Sequence, residues 1–550
     1  MEQIVKFIKN EKCLKWCTIF LFALNPLIEL DYLLYDVFLE EIGLPRLTTI
    51  VHFILIPLLI LWTFYLKDQQ KKRTLQFACV YVVLLGIYFI MHCVYVNFLD
   101  SINGLYFDER YRFSIFSELV YILTMVLPYF LVYQVYLVEL EEKWNKFIVY
   151  FLSGSISIPI ILGNLFLFGL STYTHEDNTT TIVNIFSWFT KGTYDTYDPR
   201  DMASKFFFQE GNTIGILLFV LLPILYYWFS RAESKKEKLF SGTLVFTQTV
   251  AMMMLGTKVG TYGMLGIPII FIGLYFACSF LLKTEKFKSS VAIFILAMTI
   301  FAGAVFNYTP AIVNEKIYRD YDSDILNSKS KLKDSKEELD AKRDPDLARN
   351  DDYFIYAFEV WALRTGIIYK DELAESGGGA NYLGNIPPVY YIEWYPYTFD
   401  ALFWLDVVIF GTEPENRING RQLQKIFMDY KMEERKGEPI WLGMGYSVFM
   451  NGSFILEQDF LIQYYTLGIT GLIMTTLPWV FIVLIGMYLV LRKWKEFFTL
   501  EIFSHSIAVV CGLAAGYISG HTLDQFTTNL LLAFVCGILF RKLLKKGSQV

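Results

Sequence analysis

Long apolar runs recur along almost the whole chain, and they constrain its fold more than any other feature. Twelve runs are long enough to cross a lipid bilayer, which needs about 20 apolar residues per helix. Since 55% of the 550 residues are hydrophobic, a soluble globular protein is excluded. The sequence therefore predicts an all-α polytopic membrane protein. Its spans are expected at roughly 13–30, 48–66, 76–95, 114–137, 147–171, 212–230, 238–256, 261–282, 289–306, 463–491, 501–519 and 522–540.

Basic residues are distributed unevenly between the two sides of these spans. If both termini lie in the cytoplasm, 24 of the 48 Lys and Arg residues fall in inner loops and tails, and seven fall in short outer loops. The positive-inside rule therefore predicts cytoplasmic termini. No small-residue cleavage site follows the first span, so no removable signal peptide is expected.

One long polar block interrupts the spans. It predicts three parts: transmembrane helices 1–9 in residues 1–306, a large and mostly helical extracellular loop domain in residues 307–461, and helices 10–12 with a cytoplasmic tail in residues 462–550. The charged residues 312–352 favour a solvated amphipathic helix. The block contains none of the seven cysteines, which is typical of a bacterial envelope protein.

Aromatic residues crowd into residues 353–410 of this block, where Trp394 lies among several tyrosines and tryptophans. Amphipathic aromatic side chains suit an interfacial belt or a small core, and they also suit stacking on sugar rings. Both interpretations stay open.

The junction between the seventh and eighth spans carries a lysine on the predicted outer side, where the positive-inside rule disfavours it. It lies within the segment Leu255-Gly256-Thr257-Lys258. Lys258 can aim a point charge at the mouth of the helix bundle, although a lysine at a helix end can also simply snorkel to water. We favour a functional lysine because other outer features agree with it.

Further polar residues lie at the predicted outer ends of spans. Arg110 and Arg112 could contact an anionic headgroup or pair with the neighbouring acids, and Asn212 could bind substrate or only cap its helix. His521 could relay a proton or be structural. His175 lies beside Glu176 and Asp177, which could suggest a metal, but a single histidine is a weak signal, so no metal is expected.

The end of the block combines cations, a glycine turn and carboxylates. Arg421 follows Asn419-Gly420, which predicts a helix start with the guanidinium, a planar fork suited to phosphate oxygens, near its first turn. The segment Gly443-x-Gly445-Tyr446 predicts a turn that is too short for a nucleotide loop. Glu457 and Asp459 are two positions apart, so on a helix only one of them would face a site.

These segments, in this order, resemble the motifs of the O-antigen ligase and polymerase family, whose Gram-positive relatives include the teichuronic acid polymerases. Gly256-Thr257-Lys258 resembles the family's Gly-Thr-Lys or Ser-Arg-Gly turn, and Asn212 to Gly215 resembles its Asn-x-x-Gly helix opening. Asn419-Gly420-Arg421 is similar to its Ser-x-Arg element, and Ile440 to Tyr446 is similar to its Gly-x-Gly-(Tyr/Phe) element. Glu457 to Gly471 is similar to its Glu-x-Asp entry into the next span.

The resemblance covers roughly residues 205–530 and includes two departures. Gram-negative ligases carry a histidine near the end of the loop, where this chain has Glu457 and Asp459 and no histidine anywhere in the block. Lys258 stands where an arginine is usual. Both departures favour a Gram-positive branch.

The resemblance implies transfer of a glycan from an undecaprenyl-diphosphate-linked oligosaccharide donor to a glycan acceptor on the outer face of the bacterial plasma membrane. Two cations, Lys258 and Arg421, are expected to stabilise the leaving diphosphate, so that no metal or cofactor is required. The general base is expected to be one of three groups: Glu457, Asp459 or His521. The remaining predicted substrate-binding residues are Arg110, Arg112, Asn212, Arg417, Tyr446 and Trp394.

Three alternatives are weighed against a polymerase. A ligase would move the glycan to a lipid or wall acceptor. A lipid-linked oligosaccharide transporter would place charges near the bilayer midplane and show internal repeats, and neither pattern is found in the sequence. A sensor would have a cytoplasmic output domain. Membrane lipid and other polysaccharide-assembly proteins are the expected further partners, and the sequence has no nucleic-acid signature.

Overall fold

The computed structural model is helical throughout the part of the chain that it describes. Those residues are 10–31, 46–103, 112–167, 184–186, 203–208, 210–316, 420–434, 437–450, 456, 458–518, 520 and 522–547, and they contain helices and turns but no strand. The charged segment 317–352 and the aromatic segment 353–410 lie outside the described residues.

We number the main helices of the described residues in chain order. They are α1 (Glu11–Ile28), α2 (Leu47–Lys67), α3 (Lys71–Asn103), α4 (Ile115–Val138), α5 (Glu142–Leu165), α6 (Gly211–Arg231), α7 (Lys235–Met254), α8 (Lys258–Leu281), α9 (Ser289–Phe306), α10 (Gly420–Glu434), α11 (Tyr446–Met450), α12 (Asp459–Arg492), α13 (Leu500–Ile518) and α14 (Phe526–Gly547).

Ten helices in the described part of the chain are long and apolar enough to cross a membrane, which confirms a multi-pass membrane protein. Helices also form at the predicted first and seventh spans, as α1 and α7, but both are more polar and do not belong to those ten. The count of twelve and the cytoplasmic termini stay predictions. The last helix begins at Phe526 rather than near 522, because Thr522 to Gln525 have non-helical backbone.

The chain divides into two compact units. Unit 1 contains Met1–Leu85, Val120–Asn314 and Met474–Val550, and unit 2 contains Gly86–Leu119 and Glu315–Ile473. The predicted boundaries at 306/307 and 461/462 stay a prediction.

Helix α6 forms the centre of unit 1. It is apolar around its whole circumference, which is the pattern of a buried helix, and its side chains from Thr213 to Ser230 are nearly all buried. It packs against α5, α7, α8, α13 and α14. Gln248 of α7 donates a 2.7 Å hydrogen bond to the carbonyl of Leu218, about one turn before Pro223 loosens the helix ladder. These contacts hold α6 in the centre of unit 1, and Asn212, a predicted site residue, is the second residue of this helix.

Candidate functional site

In unit 1, a short segment before α6 packs against the junction that carries Lys258. The amide of Ser204 donates to the carbonyl of Met254 at 2.9 Å, and its hydroxyl donates to the carbonyl of Ile160 at 3.2 Å. A Cβ atom added at Gly256 would lie only 2.5 Å from Cβ of Ala203. The small residue at 256 therefore lets the segment 203–205 pack directly on the α7–α8 junction.

The first turns of α6 and α8 meet at the same place. Thr257 caps α8, since its hydroxyl accepts a hydrogen bond from the amide of Gly260 at 3.2 Å. A Cβ atom at Gly215 would lie 2.6 Å from that hydroxyl oxygen, so the two helix starts are in close contact. Lys258 is exposed at the first position of α8, and Asn212 is half-buried at the second position of α6. Two helix N-termini and one cation thus gather at one end of unit 1.

Lys205 adds a second cation to this end of unit 1. The side chain is buried, with 9% of the residue's surface exposed. Burial lowers the pKa of its ammonium below the ordinary lysine value, while the negative charge of Glu210 acts in the opposite direction. Positive ends of helix dipoles and two lysines together favour an anionic ligand at this end.

In unit 2, helix α12 is broken close to its start. Gly468 adopts φ 69° and ψ 179°, which is not helical, so the preceding carbonyl groups lose their helical donors. The phenol of Tyr88 donates to the carbonyl of Leu467 at 2.6 Å. Irregular backbone in a membrane-spanning helix is tolerated where it is buried in protein or lines a water-filled cavity. The break is therefore a candidate functional feature.

The Gly-x-Gly-Tyr segment satisfies the other carbonyl groups at this break. It forms the predicted turn, in which the amides of Met444 and Gly445 donate to the carbonyls of Tyr465 and Thr466 at 2.8 and 2.9 Å. A Cβ atom at Gly443 would lie 2.2 Å from the carbonyl oxygen of Thr466. No other residue permits so close a backbone approach. The turn and the helix break are thus a single structural unit.

Helix α10 holds Arg421 and is attached to the same helix α12. Its described residues run from Gly420 to Glu434, and the helix start predicted from Asn419-Gly420 stays a prediction because Asn419 lies outside the described residues. Near its end, the carboxylate of Asp429 accepts a hydrogen bond from the phenol of Tyr465 in α12 and one from Lys425 at 2.8 Å. Arg421 is the second residue of α10. Helix α10, which carries Arg421, and the Gly443–Tyr446 turn are therefore both attached to α12 in unit 2.

Asp459 occupies the first position of α12 and is almost fully buried, with 1% of its surface exposed. Gln458 before it has φ 91°, a region that residues other than glycine rarely adopt. Such backbone strain persists only where the surrounding structure imposes it, and it concentrates at functional sites. The strained residue places the carboxylate of Asp459 at the helix start.

The structure describes only part of the predicted site. Arg112 is exposed before α4, and Tyr446 is half-buried at the first position of α11. Among the described residues, no group of three or more His, Cys, Asp or Glu side chains could hold a metal ion. The predicted site residues that lie outside the described residues are Arg110, Trp394, Arg417, Glu457 and His521.

Sequence reasoning missed two sets of residues. The sequence shows Lys205 as one of seven basic residues in the short outer loops and does not mark it as a site residue. The three phenylalanines that follow it are nevertheless a signal for burial. His92 lies within a predicted span, and its ring contacts the carbonyl oxygen of Leu442, directly before the Gly-x-Gly-Tyr turn in unit 2. No local signal in the sequence identifies that contact, since its partner lies 350 residues away.

The helices and the convergent turn define a polytopic membrane protein with a motif-rich segment between spans. The family model described as O-antigen ligase like membrane protein matches residues 15–546. The chain therefore belongs to the O-antigen ligase-like membrane protein family, which confirms the resemblance and indicates glycan ligase or polymerase activity. No curated protein and no solved structure shows significant similarity to the chain.

Proposed function

We propose that this protein polymerises undecaprenyl-diphosphate-linked oligosaccharide repeat units into a surface polysaccharide on the outer face of a Gram-positive plasma membrane. The observation that carries the proposal is that two elements of unit 2, the helix that carries Arg421 and the Gly443–Tyr446 turn, are both attached to α12, the helix that starts at Asp459. The membership of the chain in the family supports the reaction class. The choice of a polymerase rather than a ligase rests on the Gram-positive character of the motifs.

The leaving diphosphate requires positive charge at the lipid boundary, where water solvates it poorly. Lys258 and Lys205 supply two ammonium groups beside two helix N-termini in unit 1. Preorganised cations of this kind stabilise the negative charge that develops on the leaving oxygen. Arg421, on α10 of unit 2, is proposed as a further phosphate-binding cation, because its planar fork suits phosphate oxygens. Asn212, at the start of α6, is proposed to donate a hydrogen bond to a phosphate oxygen.

The acceptor sugar must lose a proton as its hydroxyl oxygen attacks the anomeric carbon of the donor. In the proposed step, the new glycosidic bond forms, the bond to the diphosphate oxygen breaks, and the diphosphate leaves with the electron pair. Asp459 takes the acceptor proton as general base. Glu457 and His521 stay rival candidates for this role. Tyr446 and Trp394 are proposed to contact the sugar chain.

The experiment compares the polysaccharide made by the wild-type protein with that made by variants at Lys258, Arg421 and Lys286. All proteins are expressed at matched membrane levels in a host deleted for this gene. Wild type is expected to restore a ladder of long chains on a gel. Lys258→Ala and Arg421→Ala are expected to leave a single repeat unit on its lipid carrier. Lys258→Arg, which keeps the charge, is expected to retain much of the ladder. Lys286→Ala is the matched control, since Lys286 is an exposed lysine beyond the other end of α8.

Three outcomes would overturn parts of this proposal. If the alanine variants keep the ladder, the assignment of the cations is wrong. If the deleted host makes long chains that stay on the lipid carrier, the protein is a ligase. If lipid-linked units accumulate on the cytoplasmic face, the protein is a transporter.

A further inference from the structure

A buried histidine and glutamate in unit 2 hold the Gly-x-Gly-Tyr turn in place. His92 of α3 and Glu118 of α4 both have fully buried side chains. The Nδ1 atom of His92 lies 2.6 Å from the carbonyl oxygen of Leu442, and its Nε2 atom lies 3.1 Å from Oε2 of Glu118. One imidazole ring therefore bridges the turn and the start of α4.

Glu118 extends this bridge to the other end of the turn. Its Oε1 atom accepts hydrogen bonds from both the amide and the hydroxyl of Ser447, each at 2.7 Å. The hydroxyl oxygen of Ser447 in turn accepts from the amide of Ser114 at 3.1 Å. The turn is thus fastened at Leu442 and at Ser447, the residues that enclose Gly443 to Tyr446.

The protons in this cluster can be assigned from the atoms that face each other. The carbonyl oxygen of Leu442 can only accept, so Nδ1 of His92 carries a hydrogen. A bare Nε2 facing a carboxylate oxygen would place two acceptors in contact, so one more proton lies between His92 and Glu118. The pair is neutral overall with that proton, and a neutral pair is the form least costly to bury away from water.

We propose that His92 and Glu118 are positioning residues that orient Tyr446 toward the lipid-linked donor. This inference rests on the proposed function and goes beyond it. Tyr446 lies between two anchored amides: Gly445 donates to the carbonyl of Thr466 and Ser447 donates to Glu118. Because both neighbours are fixed, the backbone at Tyr446 has little freedom. The direction of its half-buried ring therefore depends on the buried pair.

Two substitutions at Glu118 separate geometry from charge. Glu118→Gln keeps the length of the side chain: its oxygen still accepts from Ser447, and its amide donates to Nε2 of a neutral His92. Glu118→Asp keeps the carboxylate but withdraws it by one methylene group, so these hydrogen bonds are lost. If the pair has a positioning role, Glu118→Gln should keep normal binding of the donor and Glu118→Asp should weaken it. A role for the negative charge or for proton transfer predicts the reverse.

The test uses the full-length protein in liposomes, with lipid-linked oligosaccharide purified from a host deleted for this gene as the donor. We expect Glu118→Asp to raise the donor KM about tenfold, the scale of one lost hydrogen bond, with kcat less affected. Glu118→Gln is expected to keep KM within about twofold of wild type, the scale of a neutral replacement. Combining Glu118→Asp with Tyr446→Ala should add little to the effect of Tyr446→Ala alone, because the pair acts through Tyr446.

Each other result decides against the proposal. The proposal would be overturned if all variants had the same donor KM or if both Glu118 variants raised it equally. It would also be overturned if Glu118→Gln raised the donor KM and Glu118→Asp left it unchanged. A lowered melting temperature with an unchanged KM would assign the pair to stability alone. If wild type itself forms no polymer from this donor, the proposed function fails instead, and the two failures are thereby distinguished.

Discussion

The phenol of Tyr465 donates a hydrogen bond to the carboxylate of Asp429, and this contact joins the helix that starts at Asp459 to the helix that carries Arg421. Asp429 lies two turns beyond Arg421 on α10. The placement of the predicted cation in unit 2 therefore depends on a bond at some distance from it.

We expect Tyr465→Phe to loosen α10 and to lower polymer formation several-fold. The lost hydrogen bond to a charged group contributes about 2 kcal/mol to the free energy of unfolding. Polymer length on a gel and the melting temperature in detergent are the measurements. Tyr464→Phe is the matched control, because the neighbouring ring is in edge contact with Tyr465 but is only half-buried. An unchanged product from Tyr465→Phe would show that this bond does not position Arg421.

Gly468→Ala should destabilise the protein strongly. The residue has φ 69°, and an added Cβ atom would lie 2.5 Å from the backbone nitrogen of Gly443. The expected loss exceeds about 3 kcal/mol, because strain and a backbone clash add. Gly486→Ala in the same helix is the control. Nothing lies within 4 Å of its added methyl group, so stability should rise by about 1 kcal/mol or less. Similar melting temperatures for both variants would contradict the close approach at Gly468.

Lys205 predicts opposite effects of alkaline pH on stability and on activity. Its pKa in the folded protein is lowered by burial, so between that pKa and the ordinary lysine value the unfolded chain binds more protons. Stability therefore rises with pH across this window. Polymer formation should fall across the same window, because the ammonium loses its charge.

Lys205→Arg tests this prediction, since a guanidinium stays protonated throughout the window. The alkaline fall in initial rate should move to higher pH in this variant. Lys286→Arg is the control and should leave the profile unchanged. An identical alkaline limb for wild type and Lys205→Arg would remove Lys205 from the proposed cation pair.

Asp459→Asn should lower the rate of polymer formation about a hundredfold or more, the usual contribution of a general base. The substitution keeps the size of the side chain, so the melting temperature should change little. Glu457→Gln and His521→Gln, measured in the same assay at saturating donor, compare the rival bases. If Asp459→Asn keeps the wild-type rate and Glu457→Gln or His521→Gln abolishes polymer formation, the residue changed in that variant is the general base instead of Asp459.

Local sequence pattern was sufficient to predict most of the helices in the described part of the chain. Apolar runs placed the membrane-spanning helices of the described residues because bilayer thickness fixes span length. The turn at Gly443 was also readable from its two glycines. The polar and charged starts of α1 and α7 keep both helices out of the ten that are apolar enough to span a membrane, and the last helix begins only at Phe526.

The site could be predicted only as separate motifs. Tyr88 and His92 contact residues that lie 379 and 350 positions further along the chain, and no local pattern encodes such pairings. The buried state of Lys205 depends in the same way on the docking of its segment against the carbonyl of Met254. Residue type indicated which groups carry charge, whereas long-range packing decides which of them are buried together.

The break at Gly468 also bears on how the protein is made. The groups that satisfy it, Tyr88 and the amides of Met444 and Gly445, all precede it in the chain. They have therefore left the ribosome before the carbonyl of Leu467 does. Unpaired carbonyl groups are costly in lipid. We therefore expect α12 to insert into the bilayer readily only if Tyr88 and the turn that contains Met444 and Gly445 are already close to it during insertion. The order of the motifs along the chain therefore makes the hydrogen-bond donors available before the helix break that needs them is synthesised.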